Sequence, residues 1–138
     1  MTNHRPNWTE YFCNIAAEVA QRATCPRAQV GAVIVKHNRI ISTGYNGAPA
    51  SEPHCIEEGC IIENNHCLRA IHAEVNAVCQ AAKFGLSVDG AVLYYFDSLE
   101  RDESCNNCIQ VMKAAGIIGV VDRFGTYTSL RNGEYQQD

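Results

Sequence analysis

Apolar positions along the chain fall into alternating helical and strand periods. Trp8, Phe12, Ile15, Val19 and Ala23 repeat at three or four residues, which predicts a helix over 8–23. Asn7-Trp8-Thr9-Glu10 supplies a capping-box start, and Pro26 closes the segment. Val30 to Val35 and Arg39 to Tyr45 are β-branched runs separated by Lys36-His37-Asn38, the pattern of a hairpin. Gly44 and Gly47 bracket Tyr45-Asn46 and mark a close backbone approach or a sharp exit from the strand. Residues 48–67 carry Pro49, Pro53 and acidic clusters, so they read as a loop with short helical turns, long enough to need a reason. From His72 the helical period returns, with Val75, Val78, Cys79 and Ala82 on one face and Gly85 as the stop. A strand over 91–96, a helix over 105–115 with Ile109 and Met112 inward, and a strand over 117–121 follow. The polar tail from Tyr127 is expected to form a short helix. The order α-β-β-α-β-α-β predicts an α/β fold with a mixed central sheet covered by helices.

Length and composition narrow the class. The 138 residues amount to one domain, 1–138, able to bury a core without disulfides. With 46% hydrophobic and 19% charged residues, disordered and fibrous architectures are excluded. No apolar run reaches membrane-spanning length and the first nine residues lack a signal-peptide core, so a cytoplasmic protein without a membrane partner is expected. The net charge of −4 and dispersed Lys and Arg argue against a nucleic-acid polymer as partner, while leaving room for a local pocket for one phosphate.

Eight cysteines are many for such a chain. Cys13 and Cys79 sit in helical stretches and read as packing residues. The others, with a C-x-x-C among scattered histidines and no secretory signal, favour metal over disulfides. His72-Ala73-Glu74 opens one predicted helix, and Cys105-Asn106-Asn107-Cys108 opens another. Sulfurs three apart at a helix start point to one centre, and a helix N-terminus favours the thiolate that zinc needs. His72, Cys105 and Cys108 make three protein ligands, which leaves a fourth zinc position for water, the arrangement of a catalytic site. Glu74, two residues from His72, is placed to handle protons there. Taken alone, a C-x-x-C is more often a structural half-site and an H-x-E is chance; together they form the zinc-deaminase signature. Cys25, Cys55, Cys60 and Cys67 could hold a second, structural zinc, with His54 and His66 as competing ligands and ordinary reduced thiols as the alternative.

These motifs resemble the cytidine deaminase superfamily and, more narrowly, the deoxycytidylate (dCMP) deaminases. The narrower likeness rests on Cys25, on Val30-Gly31-Ala32-Val33-Ile34-Val35, and on Arg39 through Gly44-Tyr45-Asn46-Gly47-Ala48-Pro49. His54-Cys55, Gly59-Cys60 and Cys67 extend it over roughly residues 8–124. The chain departs from the family pattern at Ser104, where the family has proline, and in a longer stretch from Asp97 to Ser104. The resemblance implies a three-layer α-β-α cytidine deaminase-like fold and hydrolytic loss of ammonia from the cytosine ring of dCMP, giving dUMP for thymidylate supply. It implies that zinc activates water, that Glu74 serves as base and then acid, that Asn46 contacts sugar and base, and that the backbone at Ala73 and Ser104 reads the pyrimidine. Arg27 is the candidate cation for the 5′-phosphate, and Tyr127 is a candidate to close over the base. A homohexamer regulated by dCTP and by dTTP with Mg2+ is likewise implied, with Gly44, Tyr45, Asn46 and Gly47 as candidate effector contacts. The alternatives are deamination of a nucleoside or nucleobase, and a catalytically silent zinc module that only binds nucleotides.

Overall fold

The computed structural model describes residues 4–49, 51–63, 71–100 and 106–131, and the backbone of 66–67. The capping box at the first helix forms as read. Asn7 Oδ1 accepts from Glu10 N at 2.8 Å, and Glu10 Oε1 accepts from Asn7 N at 3.0 Å. Helix α1 runs Trp8–Ala20, three residues shorter than the apolar period predicts. Its last turn tightens, with Arg22 N and Ala23 N donating to Val19 O and Ala20 O, three residues back.

Strands β1 (Val30–Lys36) and β2 (Arg39–Tyr45) form the expected hairpin, with Gly31 opposite Tyr45 and Lys36 opposite Arg39. His37 and Asn38 both adopt left-handed backbone, φ 54° and 58°, as a two-residue hairpin turn matched to strand twist requires. The 48–67 stretch holds a short helix α2 (Cys55–Glu58) and a two-stranded ladder of β3 (Ile62–Glu63) and β4 (His66–Cys67). Helix α3 (Ala73–Lys83), strand β5 (Val92–Asp97), helix α4 (Asn106–Ala115) and strand β6 (Gly119–Val121) follow. The tail expected to be helical is instead strand β7 (Tyr127–Ser129), antiparallel to β6. The open edge of β6 supplies backbone partners, and the Tyr127 ring lies over Gly119, where no side chain stands in its way.

The main sheet has the order β2-β1-β5-β6-β7 and is mixed: β5 and β6 are parallel through α4, the other pairs antiparallel. Alternation along β1 assigns its two faces. Val30, Ala32 and Ile34 pack with Leu93, Tyr95, Met112 and the alanines of α3, while Val33 and Val35 pack with Phe12 and Ala16 of α1. A strand covered on both sides reads as an unbroken apolar run, which is what residues 30–35 show.

Glycine sets how closely the layers approach. A Cβ on Gly31 would overlap the Ala16 carbonyl and Ala20 backbone of α1, and one on Gly44 would overlap Ala73 and Ala77 of α3. This corrects the helix faces read from sequence. On α3 the buried positions are Ala73, Glu74, Ala77 and Ala81, and Cys79 and Ala82 are exposed. Only small residues fit where helix backbone meets strand backbone, so Val75 and Val78 lie at the flank of the core.

Candidate metal centre and active site

Register brings the motif residues to one end of the sheet. Val30 at the start of β1 pairs with Asp97 at the end of β5, and Gly31 pairs with Tyr45 at the end of β2. The chain leaving β2 then forms a bridge with residue 71: Gly47 N donates to Ile71 O at 3.1 Å, and Ile71 N to Gly47 O at 2.8 Å. That bridge sets the Tyr45-Asn46-Gly47 turn beside His72, the N-cap of α3.

His72 Nδ1 lies 3.2 Å from Cys108 Sγ, although 36 residues separate them in sequence. His72 is exposed on the open side, and Cys108 is buried in the first turn of α4. Two ligands of one tetrahedral zinc, at about 2.1 and 2.3 Å from it, stand about 3.5 Å apart. The pair therefore fits a shared metal in spacing and in donor chemistry. The third expected ligand, Cys105, and the neighbouring Ser104 lie outside the described residues, and among those described no trio of metal-ligating side chains gathers.

Glu74 is only 5% exposed, in the first turn of α3. Among the described residues its carboxylate makes no hydrogen bond and no ion pair. Burying a carboxylate without a partner is costly, and the native exceptions cluster at catalytic and metal sites. Glu74 stands two residues from His72, in the first turn of the helix that His72 caps.

Asn46 has a structural job besides the sugar and base contact that the resemblance implies for it. Its Oδ1 accepts from Val30 N at 2.9 Å and its Nδ2 donates to Ala28 O at 2.8 Å. The side chain thus pins the loop 25–29 to the β2 exit, leaving one N–H and one lone pair for other contacts. Arg27 is exposed on that loop. Ala73 is buried, and Gly44 is spent on helix packing. Tyr127 belongs to β7, where its ring lies over Gly119 and its hydroxyl donates to Ile118 O at 3.4 Å.

Around the proposed second zinc, Cys25 and Cys55 are buried and Cys60 is half-buried, while the Cys67 side chain lies outside the description. Thr24 joins the two segments that carry them. Its Oγ1 stands 2.9 Å from His54 Nδ1, and its carbonyl accepts from Ile56 N at 3.0 Å.

Asn76 is the site residue that sequence reasoning passed over. Its Nδ2 donates to Tyr45 O at 2.7 Å and lies 3.5 Å from Gly47 O, tying α3 to the turn that holds Asn46. The available signal was a lone amide inside the apolar run Val75-Asn76-Ala77-Val78.

Comparison with known proteins decides the family. The model of the cytidine and deoxycytidylate deaminase zinc-binding region matches residues 6–122. The chain belongs to this family. It is 43% identical over 113 residues to ComE operon protein 2 of Bacillus subtilis (strain 168), a match that spans 82% of this chain and 57% of that protein. It is 39% identical to the deoxycytidylate deaminase of Mycobacterium phage D29, across 85% of this chain and 94% of the phage protein. The dCMP deaminase of cyanophage S-TIM5, solved with dCMP and dUMP, superposes with a TM-score of 0.70 at 28% identity, covering 87% of this chain and 83% of that one. The mixed sheet flanked by helices is thus the cytidine deaminase-like fold that the motifs imply.

Proposed function

We propose that the chain, acting as one zinc-dependent domain, hydrolyses the exocyclic amine of dCMP, converting dCMP and water to dUMP and ammonia. The observation that carries this reading is the buried Glu74 carboxylate, without a partner among the described residues, two positions along the chain from the His72 that meets Cys108. The relatives named deoxycytidylate deaminase, and a neighbour crystallised with both dCMP and dUMP, support the choice of substrate.

His72, Cys105 and Cys108 would hold the zinc, which when bound supplies Lewis acidity that makes water a nucleophile near neutral pH. Glu74 accepts one proton of the attacking water and delivers it to ring N3, then takes the remaining proton of the added hydroxyl and passes it to the amine, which departs as ammonia. One carboxylate serves both roles because it is regenerated at each transfer. The bridge between Gly47 and Ile71 and the Asn76 clamp hold the Asn46 turn against α3, so the pyrimidine meets a fixed wall. Arg27 on the adjoining loop is the cation for the 5′-phosphate. Control by dCTP and by dTTP with Mg2+, a homohexamer and a second zinc at Cys25, Cys55, Cys60 and Cys67 complete the proposal on the strength of the resemblance.

Loss of cytosine absorbance, followed for dCMP and deoxycytidine in parallel and with or without dCTP and Mg2+, tests this reading. Turnover of dCMP well above deoxycytidine is expected, with Arg27→Ala raising KM for dCMP alone. Equal turnover of the two substrates would make the protein a nucleoside deaminase, and none with either would leave a zinc module that only binds nucleotides.

A further inference from the structure

The chain entering β1 folds around a single residue of the β2 exit. Asn46 is only 8% exposed. Its carbonyl accepts from Thr24 N at 3.1 Å, and its own N–H donates to Val30 O at 3.3 Å. Its side chain accepts from Val30 N at 2.9 Å and donates to Ala28 O at 2.8 Å. Residues 24–30 are therefore closed into a loop tied at both ends, and Pro26 removes a further backbone freedom inside it. The next residue, Gly47, is bridged to Ile71 beside His72, which links this loop to the start of α3.

A second hold comes from the end of β5. The β1–β5 ladder stops at Val30 opposite Asp97, so Gln29 and Ser98 are the next pair in register. Ser98 N donates to Gln29 O at 2.9 Å, as a continued ladder requires. In such a ladder Gln29 N would donate back to the Ser98 carbonyl. It donates instead to Ser98 Oγ, at 2.8 Å. The main chain bends into a turn at this point: Leu99 N donates to Asp97 Oδ1 and Glu100 N to Asp97 O, both at 2.9 Å, and Glu100 takes the left-handed φ of 59°. The Ser98 hydroxyl thus stands in for a ladder carbonyl and adds a grip on the loop just where Asn46 holds Ala28 and Val30. Arg27 precedes these held residues. It is exposed, and among the described residues its guanidinium makes no hydrogen bond or ion pair, so the loop restrains its backbone and leaves its charge unspent.

We propose that Ser98 is a positioning residue for recognition of the 5′-phosphate: its hydroxyl completes the hold on residues 28–30 and so keeps Arg27 where the phosphate is met. This rests on the reading of Arg27 as the phosphate cation. Asn46 is no selective probe of the loop, because the same side chain is expected to contact sugar and base. Steady-state kinetics of the zinc-loaded protein with dCMP and deoxycytidine test the proposal. Ser98→Ala should raise KM for dCMP about three- to tenfold, the range that one hydrogen bond commands. The kcat for dCMP and both constants for deoxycytidine should stay at wild-type values. Ser98→Thr keeps the hydroxyl and should recover most of the lost KM. Arg27→Ala should raise the same KM by more, and adding Ser98→Ala to it should change little further, because the hydroxyl acts through the arginine. A dCMP KM unchanged in Ser98→Ala, or an equal loss with deoxycytidine, would overturn the proposal and leave the Arg27 reading standing. A dCMP KM unchanged in Arg27→Ala would overturn that reading and the proposal with it. Wild type that deaminates neither substrate would overturn both together with the deaminase reading.

Discussion

Glu74 pairs burial with the absence of any described partner, and the two together separate its role from that of a helix-capping acid. If the carboxylate is kept for proton transfer at a cost in folding energy, then neutralising it should relieve that cost. Glu74→Gln is expected to lower kcat by about 10²–10⁴-fold while raising stability by about 1 kcal/mol. Turnover and urea unfolding measured on the same zinc-loaded preparation check both halves, and a variant that loses stability together with activity would mark Glu74 as structural. The meeting of His72 and Cys108 was legible from spacing because ligand chemistry restricts residue type. The tethering role of Asn46 was not legible. Its amide bonds to Ala28 and Val30 depend on a loop conformation that no local pattern encodes. Asn76 was missed for the same reason, since its partners Tyr45 and Gly47 are brought to it only by the fold.

Most elements followed from periodicity and turn chemistry, and the failures share a cause. On α1 and α3 the large apolar residues suggested one core face, yet apart from Phe12 and Glu74 the buried positions are alanines, and Ala16, Ala20, Ala73 and Ala77 meet Gly31 and Gly44. Backbone-to-backbone packing of this kind rewards the absence of a side chain, which hydrophobic patterning does not detect. β7 was missed because its three residues gain strand structure from the edge of β6, not from their own sequence. Gly44→Ala should therefore push α3 away from β2, costing about 1–3 kcal/mol and reducing turnover, because α3 begins at the proposed ligand and base. Chemical unfolding combined with an activity assay would contradict this if both stayed at wild-type values. The start of α1 offers a pH test. The backbone hydrogen bond from Asn7, with His4 adding to it, holds the Glu10 carboxyl below its ordinary range. A depressed folded value means the cap contributes above the unfolded carboxylate range and is lost as pH falls through the folded one. Stability of wild type relative to Glu10→Gln should accordingly be greatest near neutrality and converge in acid, as read by thermal melts across pH; a gap that persists below the carboxylate range would contradict it.

At the scale of the whole molecule, the fold gathers one end of β1, β2 and β5 with the first turns of α3 and α4, and His72, Glu74 and Cys108 stand on that rim. The opposite ends of these elements carry hairpin turns and helix stops. An acidic chain with its cations dispersed suits a small nucleotide better than a polymer. The match spans 57% of ComE operon protein 2 and 94% of the phage protein, so the chain corresponds to most of one relative and to a portion of the other. No helix among the described residues is long and apolar enough to cross a membrane. The most direct measurement is turnover of dCMP by zinc-loaded wild type beside Glu74→Ala loaded to the same zinc content, with dUMP and ammonia quantified together. Equimolar dUMP and ammonia from wild type, and neither from the variant, is the predicted result. Equal turnover by both proteins, or none by wild type with its metal in place, would contradict the account of Glu74 as the proton carrier of a dCMP-deaminating site.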